Sequence, residues 1–147
     1  MLKDILTLDL VTTDLSGTDK SSVIRALLDL ISKTGKVKDT EVALSALLEH
    51  EMGMSTGMEN GIAIPHAKTD AVEELVACVG ITKRKVDFEC LDRKPAQIFV
   101  MTLSPKEGVG PHIQFLAEIS RLLKDPKFRK ALLKAKNDQQ LLELLTK

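Results

Sequence analysis

The chain reads as an α/β protein, a small mixed sheet flanked by helices. Three observations lead there. Residues 96–103 (Ala-Gln-Ile-Phe-Val-Met-Thr-Leu) are apolar on both faces, as a central strand is. Ile24, Leu27, Leu28 and Ile31 recur at i, i+3, i+4, i+7, the spacing of a one-faced helix. The segments follow one another as β-α-α-β-β-β-α-α-α, and strands with flanking helices in this proportion pack as a layered sandwich.

Each element has its own warrant. Residues 9–15 form a short strand, with Leu10, Val11 and Leu15 as its apolar content. Ser16-Gly17-Thr18-Asp19 is a turn that holds a helix cap. The helix carrying Ile24 to Ile31 stops at Gly35, a residue suited to a C-terminal cap. Asp39-Thr40 opens a second helix with Leu44, Leu47 and Leu48 on its buried stripe, ending near Gly53. A run of small residues, 55–61, leads into Ile62-Ala63-Ile64-Pro65, a buried strand that the proline ends. Residues 75–82 and 96–103 are the next two strands, and 104–110 is a loop. Pro111 stands at a helix start, where its missing N–H goes unused. Ile113, Leu116, Ile119, Leu122 and Leu123 carry that helix to about Lys124. Pro126 starts another, with Phe128 and Leu132 inward; Asp138 caps the last, with Leu141 and Leu145 inward.

Composition narrows the function. The 147 residues are one ordinary domain, 1–147, with 44% apolar and 29% charged residues. A chain of this length buries roughly 68–70% of its unfolded surface and needs no disulfide or metal to fold. Disorder, collagen-like repeats and a disulfide scaffold are excluded. Net charge is zero, 21 basic against 21 acidic residues, and aromatics make up 3%, with no Trp or Tyr. Nucleic-acid binders show basic excess or stacking aromatics, so no nucleic-acid partner is expected. Cys78 and Cys90 fit no zinc or redox spacing and read as core residues. No signal peptide and no 18-residue apolar run is read, which places the chain in the cytoplasm.

The chemistry falls to three histidines, His50, His66 and His112. His66 ends a buried strand, and Gly57 and Gly61 before it allow backbone N–H groups to approach an anion. Residues 56–61 are otherwise a tight connection, and Thr56 either donates a hydrogen bond to a ligand or stabilises the turn. His112 follows Pro111 in the first turn of a helix, where free N–H groups favour a phosphate and disfavour imidazolium. The alternative is an exposed capping histidine.

The segment Ser55-Thr56-Gly57-Met58-Glu59-Asn60-Gly61-Ile62-Ala63-Ile64-Pro65-His66-Ala67-Lys68 resembles the phosphorylation motif of the fructose/mannitol-type EIIA domains of the bacterial sugar phosphotransferase system, which include nitrogen-regulatory relatives. The likeness continues through residues 86–92 and 98–100 and along 112–125. It implies a three-layer α/β/α sandwich with a small mixed sheet. It implies that His66 is phosphorylated on Nε2 by the phosphocarrier HPr and passes the group to a cysteine of an EIIB domain, with His112 steadying it. In the regulatory relatives the acceptor is replaced by a target protein, and the membrane is met only through an EIIC component. No cofactor is implied. Members usually carry arginine sixteen residues before the phosphorylated histidine; here that position is His50. Histidine offers one donor and partial charge where arginine grips phosphate with two N–H groups. Lys68 stands close in sequence as an alternative source of positive charge.

If all three histidines share one site, they suffice for zinc, although no HExxH spacing supports a metal and none is expected. Lys83-Arg84-Lys85 reads as a solvated turn. The basic run 124–136 is either a wet helical face or a surface for an acidic partner. Met52, Met54 and Met58 either fill gaps or form a docking patch.

Overall fold

The computed structural model describes residues 1–108 and 110–147. Helices α1 (Leu2–Ile5), α2 (Lys20–Ser32), α3 (Thr40–Gly53), α4 (Gly110–Leu123), α5 (Pro126–Leu133) and α6 (Asp138–Thr146) enclose strands β1 (Val11–Thr12), β2 (Ile62–Ala63), β3 (His66–Lys68), β4 (Val76–Val86) and β5 (Ala96–Ser104). The sheet runs β1-β4-β5-β2, and β3 follows β2 along the same edge of β5. Only β4 and β5 are antiparallel; the other pairings are parallel.

Strand periodicity sorts the core into two layers. From β5, Phe99, Met101 and Leu103 point with Val76 and Cys78 of β4 toward α2 and α3. Ile98 and Val100 point with Ala77, Val79 and Ile81 toward α1, α4, α5 and α6. The result is the three-layer α/β/α sandwich. Both faces of β5 are covered, which is why its sequence does not alternate.

The helix starts follow from local chemistry. Asp19 caps α2 by accepting the Ser22 N–H, and the Ser22 hydroxyl receives the Asp19 N–H in return, a capping box. The Asp39 and Asp125 carboxylates cap α3 and α5, with Pro126 in the first turn of α5. The last helix is capped by Asn137, not Asp138. The Asp138 carboxylate instead receives the Thr13 N–H and hydroxyl, tying α6 to the end of β1.

Four further expectations shift. The first strand shrinks to two residues, because 3-10 turn Leu8–Leu10 takes its front. The Thr7 hydroxyl donates to the Asp9 carboxylate at 2.6 Å and holds that turn. Lys83-Arg84-Lys85 is not a turn: it lies inside β4, its side chains exposed where the β4–β5 register breaks between Ile81 and Val86. The α4 stripe is His112, Phe115, Ile119 and Leu123, while Ile113 is exposed. In α3 the buried positions are Ala43, Leu47 and Glu51, and Leu44 and Leu48 are half-buried.

The segment 62–66 forms the sheet edge that carries His66. Proline does not end the strand there; the strand pauses and resumes. Pro65 has no N–H to donate, yet its carbonyl accepts the Thr102 N–H at 3.1 Å, so β3 starts at once with His66 paired to Thr102. The loop before it is packed tightly. A Cβ added at Gly57 would sit 2.8 Å from Cys90 Cα and 3.0 Å from the Phe88 carbonyl oxygen. Both are backbone atoms, so Gly57→Ala is expected to cost about 1–3 kcal/mol through overpacking, lowering Tm by about 2–4 °C per kcal/mol. Thermal unfolding checks this; an unchanged Tm contradicts it.

Candidate functional site

Three separate elements bring the histidines together. His50 is in the last turn of α3, His66 opens β3 and His112 is in the first turn of α4. The His50 and His66 ring centroids are 4.6 Å apart, and those of His66 and His112 are 5.7 Å apart. All three line an open cleft of about 750 Å³ together with Lys68, Lys106 and Glu49. Lys68 is two residues beyond His66 on β3 and so shares its face.

The His66 ring has a fixed sense. Its Nδ1 is 2.7 Å from the Ile64 carbonyl oxygen. A carbonyl only accepts, so Nδ1 carries the hydrogen and, in the neutral ring, Nε2 keeps its lone pair. The half-buried ring thus presents one bare nitrogen. His112 is buried, 6% exposed. Its Nδ1 is 3.4 Å from the hydroxyl of Thr102, the residue paired with His66 across the sheet. Burial, then the neighbouring His66 and Lys68, pull the His112 pKa below the ordinary imidazole value.

The other candidates fall elsewhere. The Thr56 hydroxyl donates to Glu51 Oε1 at 2.6 Å and the Thr56 N–H to Oε2 at 2.9 Å, so both its donors are committed. The Gly57 N–H donates to the Ser55 hydroxyl. Gly61, in the left-handed region at φ +77°, gives its carbonyl to the N–H groups of Gln97 and Ile98. Thr56, Gly57 and Gly61 are not among the residues that line the histidine cleft.

What they do instead is hold the frame. Glu51 is a buried carboxylate, and Lys20 Nζ meets its Oε2 at 2.8 Å. Thr56, fixed by Glu51, accepts the Ile64 N–H on its carbonyl at 3.0 Å. Ile64 in turn presents its own carbonyl to His66. A chain of contacts therefore runs from Lys20 through Glu51, Thr56 and Ile64 to the His66 ring. Sequence reasoning alone does not single out Lys20, Glu51, Ile64 or Thr102. One of them leaves a trace there: Glu51 continues the buried Ala43–Leu47 row of α3 at the next i+4 step, and a carboxylate on an apolar stripe calls for a partner.

The cysteines stand apart. Burial raises the Cys78 thiol far above its ordinary pKa, and Cys90 is raised by burial and then by Asp92 and Asp87. Among the described residues no group of three or more His, Cys, Asp or Glu side chains is arranged to hold a metal ion. The ring planes are tilted by 53° and 49°, and the His66 Nδ1 is already taken. Among the described residues no helix is long and apolar enough to cross a membrane. Two lysines and three imidazoles line the cleft with a single carboxylate, Glu49, an environment for an anion.

Comparison with known proteins places the chain in a family. The family described as "Phosphoenolpyruvate-dependent sugar phosphotransferase system, EIIA 2" matches residues 4–147. A Haloferax volcanii protein named "PTS system fructose-specific EIIA component" is 38% identical over 98% of this chain and 94% of its own length. Nitrogen regulatory protein IIA-Ntr from Neisseria meningitidis shares the fold at TM-score 0.91 and 22% identity, covering 99% of both chains. So does IIAMTL of Escherichia coli, solved in complex with phosphorylated enzyme IIBMTL, at TM-score 0.81 and 21% identity over 95% of this chain and 96% of that one. The chain belongs to the EIIA 2 family of the phosphoenolpyruvate-dependent sugar phosphotransferase system.

The burial of His112 generates a pH prediction. Its folded pKa is below the ordinary value of 6.5, so the unfolded chain binds a proton there first. Stability is full above that value and falls as pH drops through it toward the lowered one. His112→Gln removes this contribution. Urea midpoints at about pH 7.5 and about pH 5 are expected to differ more in the native protein than in the variant; equal drops contradict the assignment.

Proposed function

We propose that this EIIA family member is a phosphohistidine carrier, with the whole of residues 1–147 acting as one domain. His66 takes a phosphoryl group from an HPr-type phosphocarrier and gives it to a cysteine of an EIIB domain. The observation that carries this reading is the Ile64 carbonyl on His66 Nδ1, which leaves Nε2 as the nucleophile. In the first step the Nε2 lone pair forms an N–P bond as the donor's bond to phosphorus breaks. In the second, an EIIB thiolate forms an S–P bond and the His66 electron pair returns to Nε2. Such transfers run through a loose, in-line transition state, so position and charge do most of the work.

The surroundings supply both. His112 lines the cleft with its Nδ1 3.4 Å from the Thr102 hydroxyl, and in this reading its other ring nitrogen, Nε2, donates to a phosphoryl oxygen. Lys68 and Lys106 balance the charge. Thr56 acts through Glu51 and Ile64 as a positioning residue, and Gly57 and Gly61 shape the loop that carries the frame. His50, 4.6 Å from His66, offers one N–H donor where an arginine would offer a two-donor fork, so its grip on the phosphoryl group is weaker. The fructose-type name of the Haloferax volcanii relative favours a sugar-uptake role, in which the chain meets the membrane only through an EIIC component. A second reading is favoured by the full-length likeness to IIA-Ntr: the phosphorylation state of His66 sets binding to a regulatory target.

Incubation with phosphoenolpyruvate, Enzyme I and HPr is expected to add one phosphate, read by intact mass. His66→Ala abolishes the gain, and His112→Ala slows it about 10²-fold or more. No gain in the native protein contradicts the reading. For His50, the His50→Arg variant is expected to transfer about tenfold faster. An unchanged rate removes His50 from the mechanism.

A further inference from the structure

A second cleft, of about 390 Å³, opens at the opposite end of β5. It is bounded by the 60–61 turn, the 92–97 segment and α5. Its floor includes Ile98 of β5, four residues before Thr102, the partner of His66. At the strand rise this is roughly 13 Å along the sheet from the phosphoryl site.

The charge in this cleft is one-sided. Lys85, Lys94, Arg129 and Lys130 line it, with Asp92 as the one carboxylate among its lining residues. The whole chain has zero net charge, so this concentration is local. Asp92 is occupied: its two oxygens receive the N–H groups of Asn60 at 3.2 Å and Lys94 at 3.0 Å. Among the described residues none of the four cations pairs with a carboxylate, whereas Lys20, Lys36, Lys38 and Lys83 do. Arg129 is not a free surface arm. It is half-buried, and one of its terminal nitrogens donates to the Leu123 and Lys124 carbonyls at 2.7 and 3.0 Å, which fixes the guanidinium at the end of α4. Between the cations, Leu133, Pro95 and Pro126 give apolar surface above the buried Ile98.

We propose that this cleft binds a small organic phosphate, a phosphate ester whose carbon skeleton rests on Leu133, Pro95 and Pro126 while Lys85, Lys94, Arg129 and Lys130 hold its charge. A concave site of this volume matches small-molecule pockets, which pair an apolar bed with a few placed polar groups. The fixed guanidinium supplies directional donors, and the flexible lysines adapt around it. The two clefts have no lining residue in common, so an occupant here leaves the histidine cleft open.

Amide NMR of the full chain tests this. The probes are inorganic phosphate, a hexose monophosphate, a hexose bisphosphate and the unphosphorylated hexose. Saturable shifts are expected at Lys94, Gln97, Ile98 and Leu133, with Kd below about 1 mM for the best ester. Affinity should rise from phosphate to monophosphate to bisphosphate, and the bare hexose should give no response. Lys94→Glu and Lys130→Glu should each weaken binding about tenfold or more, while phosphoryl transfer to His66 without ligand stays at its native rate. Three results overturn the proposal: no saturation by about 10 mM ester, an equal response to the bare hexose, or indifference to both charge reversals. Binding confined to vesicles of anionic lipid, with no response to the soluble esters, also overturns it.

Discussion

One hydrogen bond sets the orientation of the central histidine of the cleft: His66 Nδ1 to the Ile64 carbonyl, 2.7 Å. A free imidazole offers either nitrogen and turns about its Cβ. Tied to a carbonyl two residues back, this one is held to a single tautomer and a single outward nitrogen. The constraint is only as firm as the backbone behind it. That backbone is clamped on both sides, by the Thr56 carbonyl on the Ile64 N–H and by the Thr102 N–H on the Pro65 carbonyl. The ring's orientation is therefore a property of the sheet edge.

The clamp has an electrostatic foundation. Glu51 is almost fully buried and sits next to His50 in the chain, yet it faces the other way, into Lys20 and Thr56. A buried carboxylate without such partners would be costly; with a cation at 2.8 Å and two donors from Thr56 it becomes an anchor for the loop. The cleft keeps its positive character because this carboxylate is neutralised inside the protein. Glu49, which does line the cleft, is outnumbered there by Lys68 and Lys106.

Much of this is legible in the sequence. Periodicity places α2, β5 and the helix after Pro111, and the Asp caps of α2 and α3 mark their starts. His66 and His112 stand out by position, at a strand end and a helix start, and the resemblance to the EIIA domains joins His50 to them. The misses share a physical origin. Proline reads as a strand stop because it lacks a donor, but β3 needs only the Pro65 carbonyl to resume. Lys83-Arg84-Lys85 reads as a turn because three adjacent charges rarely sit in a strand; the register break at the end of β4 exposes all three. The sequence leaves residues 56–61 between an anion loop and a tight connection, and the fold favours the connection, turning Thr56 to Glu51 and packing Gly57 against Cys90. The Lys20–Glu51 pair spans separate helices, and local pattern does not report such a contact.

The proposed chemistry rests on which nitrogen of His66 is bare, and ¹⁵N NMR of the histidine rings reads this directly. At a pH where His66 is neutral, the expected ring has a protonated Nδ1 and a lone-pair Nε2, with phosphorus coupling appearing at Nε2 on phosphorylation. A neutral ring protonated at Nε2, or phosphorus bonded to Nδ1, would contradict it.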